Sequence, residues 1–150
     1  MENLWVNQYV GIPFVANGRA IEGTDCWGLV WLIYKNQYGI PLPSLASEYQ
    51  ATSLEANEKI NKKQLDELPV YPIRNPEEGD IVLMKIFGFP CHVGIYLTGH
   101  LVLHSDPVGK GLSRIERIDS PRIVRMMEGF YRVRHAPNSD SIQTSFSSDS

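Results

Sequence analysis

The hydrophobic positions of residues 24–38 recur at steps of three and four, which is the spacing of one face of an α-helix. Thr24 is a favourable N-cap residue, and Gly39 followed by Pro41 is typical of a helix end. The sequence therefore predicts one helix over 24–38 that carries Cys26 in its first turn. The positions that define its apolar face are Trp27, Val30, Trp31, Tyr34 and Tyr38.

The pattern changes after Gly79, where short runs rich in β-branched and aromatic residues replace the helical spacing. Before that point, residues 53–68 are polar with apolar positions at helical spacing, which predicts a surface helix, and Pro69, Pro72 and Pro76 predict an extended connector. Helices followed by strands are typical of an α+β fold with an antiparallel sheet. The predicted strands cover residues 81–87, 92–97, 100–104, 113–118 and 129–135.

The composition is that of one ordinary globular domain. The chain has 150 residues, of which 43% are hydrophobic and 21% charged, and a net charge of -3. We expect a single domain over 1–135 and a disordered tail over 136–150, where Ser, Asp, Asn and Gln replace apolar residues. The charge and the lack of a basic run argue against a nucleic-acid partner, and the longest apolar stretch is too short to span a membrane.

The two cysteines, Cys26 and Cys91, are too few for a disulfide scaffold. Cys26 is either a small core residue or a nucleophile, because a thiolate in the first turn of a helix is stabilised by free N–H groups and the helix dipole. A nucleophile needs a base and a polar group that orients the base, and His92 and His104, on consecutive predicted strands, have the right chemistry. Cys91 is a rival nucleophile, but it adjoins His92 on a strand and is expected to point to the other face.

The base and its orienting residue can act together only if their side chains lie on the same face of the sheet. A two-residue turn between the strands would put His104 on the other face, because a slip of one residue flips every side chain. Pairing Gly94 with His104 instead requires a three-residue loop over 98–100. We therefore predict an odd-length loop or a bulge, with Gly99 or a neighbour in a left-handed conformation.

Four short motifs, in this order, resemble the NlpC-type cell-wall cysteine peptidases. Residues 24–30, Thr-Asp-Cys-Trp-Gly-Leu-Val, resemble the Asp-Cys-Ser-Gly-Leu-Val box of that family. Residues 75–82 resemble its Pro-Gly-Asp-Leu-Val strand, and residues 92–96, His-Val-Gly-Ile-Tyr, resemble the motif that holds the base. His104 matches the third polar residue. The resemblance extends over about 9–133 and so covers nearly the whole predicted domain.

The resemblance implies a papain-like fold, in which N-terminal helices carry the nucleophile at a helix start and pack on an antiparallel β-sheet. It implies a cysteine endopeptidase that hydrolyses amide bonds in the stem peptides of peptidoglycan, commonly between D-glutamate and a diamino acid. It assigns catalysis to Cys26, His92 and His104. Neither a cofactor nor a metal ion is needed, because the nucleophile is a side chain.

Phe14 departs from the family pattern, which usually has Pro-Tyr upstream of the cysteine with a hydroxyl that helps at the oxyanion. A phenyl ring cannot donate a hydrogen bond. Either backbone N–H groups near Cys26 suffice, or the enzyme is slow, or Tyr9 reaches into the site instead. We expect Phe14, Asp25 and Trp27 to line the substrate cleft, and Asp25 to pair with a cation or cap the first turn.

Trp27 and the segment 38–43 are most similar to the branch of the family found in tail-assembly proteins of long-tailed phages. Residues 1–5 show neither the basic nor the apolar region of a signal peptide. We therefore expect the protein in the host cytoplasm during assembly or in the virion tail, with stem peptides and other phage tail proteins as partners. Two other functions stay open: a structural tail-assembly or interaction protein with weak or unused hydrolysis, and a papain-like amidase or acyltransferase on a non-wall substrate.

Overall fold

The computed structural model describes residues 4–44, 70–106 and 111–134. The predicted helix over 53–68 and the predicted tail over 136–150 lie outside these residues. The described elements, in chain order, are a 3₁₀ helix (Leu4–Tyr9), β1 (Arg19–Ala20), β2 (Gly23–Thr24), α1 (Cys26–Ile33), a π-helical turn (Tyr34–Tyr38), β3 (Val70–Ile73), β4 (Ile81–Ile86), β5 (Phe89–Leu97), β6 (Leu101–Ser105), β7 (Ser113–Arg117), α2 (Pro121–Met126) and β8 (Met127–Val133).

Strands β3 to β8 form one antiparallel sheet in the order β3-β8-β4-β5-β6-β7. The strands from β4 to β7 are neighbours in sequence order, whereas β8 returns to lie between β3 and β4. α1 packs on β5 and β6, and α2 packs on β4. The predicted α+β architecture, with a helix that carries Cys26 at its start packed on an antiparallel sheet, is confirmed.

The helix around Cys26 differs at both ends from the predicted range. Its N-cap is Asp25 rather than Thr24, because Thr24 belongs to β2 and pairs with Arg19. The chain continues beyond Ile33 as the π-helical turn, which Gly39 closes in a left-handed conformation with φ of 67°. Among the described residues, no helix has the length and apolar character needed to cross a membrane.

The hairpin between β5 and β6 has the predicted register. Gly94 pairs with His104 and Leu97 with Leu101, so residues 98–100 form a three-residue loop. Gly99 has φ of 98° and His100 has φ of 65°, which are the left-handed conformations that such a loop requires. This confirms that the side chains of His104 and His92 share one face of the sheet.

Among the elements that were not predicted from the sequence are β3 and α2. Residues 70–73, expected as part of a proline-rich connector, form β3, which lies at the edge of the sheet and pairs only with β8. Pro72 is tolerated there because an edge strand has one side on which a missing N–H breaks no ladder hydrogen bond. α2 was not predicted at all, although Ser120 accepts a hydrogen bond from the N–H of Ile123 and Pro121 begins the helix, which are ordinary start signals.

The two faces of the sheet bury different clusters. Side chains that include Val93, Ile95 and Leu103 pack beneath α1 in the larger core. The alternate positions, among them Val102, belong to a smaller cluster with Ile123 of α2. His92 and His104 share the register of this second set, so their rings lie on the α2 side of β5 and β6.

Candidate active site

Cys26 is held in place by a buried charge next to it. The Asp25 carboxylate is fully buried and accepts hydrogen bonds from the backbone N–H of Gly28 and of Asn17. The guanidinium of Arg19 completes the set at 2.8 Å. Asp25 therefore both caps α1 and pairs with a cation, as predicted, and fixes the first turn in which the thiol lies.

The thiol of Cys26 contacts the sheet near the N-terminal end of β5 and not above the middle of the strand. Met84 pairs with His92 and Lys85 with Pro90, so Cys91 is the extra residue of a β-bulge. The Cys26 Sγ lies 3.9 Å from the carbonyl oxygen of Cys91, to which the thiol donates a weak hydrogen bond. This carbonyl belongs to the peptide group that precedes His92. The two cysteines form no disulfide with each other, since both are reduced.

His92 and His104 form a buried pair behind that peptide group. His92 Nε2 and His104 Nδ1 are 2.8 Å apart, and both side chains are almost fully buried. Gly94 makes this possible, because a Cβ at that position would lie 3.0 Å from the Cβ of His104 and 2.8 Å from the carbonyl oxygen of Leu103. Since Nε2 of His92 is engaged by His104, its Nδ1 is the nitrogen left to serve a thiol.

The chain of hydrogen bonds continues to residues that were not predicted from the sequence. His104 Nε2 is 2.7 Å from the Glu116 carboxylate, and Arg122 donates to Glu116 and to Asp106 at 2.5 Å each. Arg114 lies 3.2 Å from the same Glu116 side chain. In the sequence, Arg114 and Glu116 are two residues apart and so share one face of a strand. Their place next to His104 follows only once the pairing of β6 with β7 is known.

Burial controls the charge state of His92. Burial, reinforced by the neighbouring His104, lowers the pKa of His92 to about 3, so its resting form is the neutral ring. The hydrogen bond from His104, followed by that from Arg122, lowers the pKa of Glu116 to about 2 and keeps this group a carboxylate. A general base must be neutral before it can accept a proton, and the resting form of His92 meets this requirement.

The buried His92 predicts a loss of stability on mild acidification. An unfolded chain takes up a proton at this residue below its ordinary pKa of 6.5, whereas the folded chain does so only near pH 3. We expect the free energy of unfolding to fall by roughly 1.4 kcal/mol per pH unit from this group between pH 6 and pH 4. Urea denaturation at several pH values measures the slope. His92→Gln should flatten it, and His100→Gln, which removes an exposed imidazole, should leave it unchanged; equal slopes in the two variants contradict the assignment.

Two of the three residues predicted to line a substrate cleft are buried instead. Asp25 is 0% and Trp27 is 1% exposed, and the Trp27 indole N–H donates to the carbonyl of Pro43 at 2.8 Å. Asp25 caps α1 and Trp27 belongs to the core beneath that helix. Phe14 is half-buried and its backbone bridges to Thr24, two residues before Cys26.

The polar groups around His104 do not form a good metal site. Ligand atoms of His104, Asp106 and Glu116 lie within 4.8 Å of one another, which is close enough for one ion. However, Arg122 already donates to both carboxylates, and a cation would have to displace it. We therefore assign no metal ion to these residues.

Two curated proteins are similar in sequence to this chain. A murein DD-endopeptidase MepS/murein LD-carboxypeptidase of Escherichia coli K12 is 26% identical over 95 residues, which are 63% of this chain and 43% of that protein. A probable endopeptidase NlpC homolog of Haemophilus influenzae is 25% identical over 107 residues, which are 71% of this chain and 48% of that protein. This chain thus spans less than half the length of these curated relatives.

Solved structures share the fold at low sequence identity. The NlpC/p60 domain of the peptidoglycan hydrolase SagA superposes with a TM-score of 0.56 and 18% identity, over 84% of this chain and 90% of that one. A protein of the NLP/P60 family from Staphylococcus aureus, similar to a lipoprotein, gives a TM-score of 0.61 and 23% identity, over 90% of this chain and 43% of that one. The model of the NlpC/P60 family matches residues 11–134, and the chain belongs to that family.

Proposed function

We propose that the protein is a cysteine endopeptidase that hydrolyses amide bonds in the stem peptides of peptidoglycan, and that Cys26, His92 and His104 carry out the reaction. The observation that carries this proposal is the position of the thiol. It lies in the first turn of α1, against the peptide group of the residue whose ring begins a buried imidazole chain. The relatives named as murein endopeptidases support the choice of substrate.

The proposed reaction has two steps. Nδ1 of His92 takes the thiol proton while Sγ of Cys26 attacks the substrate carbonyl carbon, and backbone N–H groups at the start of α1 stabilise the oxyanion. The imidazolium then returns the proton to the leaving amine, and a thioester remains. In the second step His92 takes a proton from water, the hydroxide attacks the thioester, and the proton returns to the thiolate as the carboxylic acid leaves.

The bond we propose lies between D-glutamate and the diamino acid of the stem. The test is to incubate the protein with purified peptidoglycan and to identify the released fragments by mass spectrometry after labelling new amino groups. New amino groups on the diamino acid support this bond. New amino groups elsewhere in the stem support an endopeptidase of different specificity. The absence of any release, in protein whose Cys26 thiol still reacts with iodoacetamide, would favour a structural tail-assembly protein or an enzyme of a non-wall substrate.

We also propose that the protein is associated with the tail of a phage or prophage and is present in the host cytoplasm during assembly. The support is the resemblance of Trp27 and of residues 38–43 to the tail-assembly branch of the family. Mass spectrometry of purified particles, induced from a strain that carries the gene, tests the proposal. Peptides of this chain should copurify with tail proteins and be absent from a tail-less mutant; their presence only in the lysate would place the protein outside the virion.

Phe14 provides a prediction about the rate. If it occupies the place of the hydroxyl that usually assists the oxyanion, then Phe14→Tyr should raise the rate of stem-peptide hydrolysis by about tenfold or more, because one oxyanion donor is typically worth about 10²–10³. The kcat for a defined stem peptide measures the effect. Phe14→Leu, which also lacks a donor, should stay within about threefold of the wild type. An unchanged kcat in Phe14→Tyr would show that this ring lies away from the oxyanion.

A further inference from the structure

The imidazole pair ends in a cluster of balanced charge that the proposed reaction does not use directly. The charged groups that face His104 are Asp106 after β6, Arg114 and Glu116 on β7, and Arg122 on α2. Two carboxylates and two guanidinium groups cancel within this cluster. The ring of His92 on β5 is a further titratable neighbour of His104.

Hydrogen-bond donors and acceptors fix where the protons lie in this chain. The Glu116 carboxylate can only accept, so Nε2 of His104 must carry a proton. If His104 is neutral, its Nδ1 has a lone pair and must accept from Nε2–H of His92. Neutral His92 then has an unprotonated Nδ1, and this is the nitrogen that can take the proton of Cys26.

A protonated His104 produces the opposite result. Both of its nitrogens then donate, so Nε2 of His92 must become the acceptor. The proton of a neutral His92 moves to Nδ1, and that nitrogen can no longer take a proton from the thiol. The neutral and the protonated forms of His104 therefore correspond to a competent and an incompetent base. An unbalanced Glu116 charge would favour the incompetent form, since an adjacent anion stabilises a cation.

We propose that Glu116 and Arg122 are positioning residues that together set the protons of the imidazole pair, a role that rests on the proposed function of Cys26 and His92. Glu116 supplies the acceptor that selects the Nε2–H form of His104. Arg122, 2.5 Å from the same carboxylate, offsets its charge, so that Glu116 orients the His104 ring without favouring its protonated form. The lowered pKa of Glu116 agrees with this arrangement, because it keeps the acceptor ionised.

The test is the pH dependence of alkylation at Cys26 by iodoacetamide, an uncharged reagent. Peptide mapping separates its adduct from that of Cys91. Arg122→Gln leaves an uncompensated carboxylate, so the acid limb of the profile should move up by about half to one pH unit. Glu116→Gln keeps an acceptor for His104 but removes its charge, so the limb should move down by a similar amount.

Two variants separate this role from a structural one. Arg122→Lys keeps the charge but loses the fork that reaches both carboxylates, so the limb should lie closer to the wild-type position than that of Arg122→Gln. Arg125→Gln removes an exposed cation from the same helix and should leave the limb unchanged, because exposed charges are screened by solvent. If Arg122→Gln and Glu116→Gln acted only by loosening the packing of α2, the acid limb would move in the same direction in both variants, or alkylation would slow at every pH.

The proposal would be overturned if the acid limb of the alkylation profile moved in the same direction in Arg122→Gln and Glu116→Gln, or if it moved in neither variant. The result is independent of the substrate. Opposite shifts without release from peptidoglycan would overturn the proposed function and leave the proton arrangement standing. Release from peptidoglycan without opposite shifts would overturn the proton arrangement alone.

Discussion

Cys26→Ala is expected to lower the hydrolysis of peptidoglycan stem peptides by roughly 10⁴-fold or more, because a covalent mechanism has no alternative once its nucleophile is removed. The fold should persist, since alanine has the helix propensity and nearly the volume required at the first turn of α1. Release of labelled amino groups measures the activity, and the urea midpoint confirms that the variant is folded. Substrate binding should remain, because the loss falls on kcat.

The matched control is Cys91→Ala. Cys91 is the other thiol of the chain and is also buried, but it enters the site through its backbone carbonyl, which alanine retains. We expect its hydrolytic rate to stay within about threefold of the wild type. If Cys91→Ala abolished hydrolysis and Cys26→Ala did not, the nucleophile would be the bulge cysteine, and the assignment based on the helix start would be wrong.

The fold was predictable where a single local rule decides the outcome. The register of β5 and β6 follows from the need to place His104 opposite Gly94, and the left-handed Gly99 allows the loop. β3 was missed because Pro69, Pro72 and Pro76 indicate a connector, and only the return of β8 creates an edge for Pro72 to join. That pairing joins residues far apart in the chain, and no local pattern encodes it.

The candidate site, like the fold, was predictable where local sequence decides the outcome. Cys26, His92 and His104 each follow from local chemistry and from the family motifs. Glu116 and Arg122 could not be found in this way, because their role depends on two tertiary facts: which strand pairs with β6, and where α2 docks. Asp25 and Trp27 adjoin Cys26 in sequence, but the Asp25 carboxylate caps α1 and pairs with Arg19, and Trp27 packs in the core, so both side chains are buried.

The second large effect is expected for His92. The ring of His92 and the body of α1 lie on opposite sides of β5. The proposed proton transfer therefore requires the Cys26 thiol to reach Nδ1 of His92 around the end of the strand, at the bulge. His92→Gln keeps a donor toward His104 and removes the base. We expect hydrolysis to fall by about 10²–10⁴-fold, the usual contribution of a general base. Alkylation of Cys26 at pH 7 should also slow toward that of an ordinary thiol, whose pKa is about 8.5.

His100→Gln makes the same exchange on the β5–β6 loop, where the ring is exposed and contacts the Tyr96 hydroxyl at 3.1 Å. It should preserve both hydrolysis and alkylation. The two readouts for His92→Gln must change together, because one proton transfer underlies both. If hydrolysis were lost while alkylation of Cys26 kept its wild-type rate and midpoint, His92 would not activate the thiol. The imidazole chain on the α2 side of the sheet would then be a structural network, and the base for Cys26 would have to come from the α1 side.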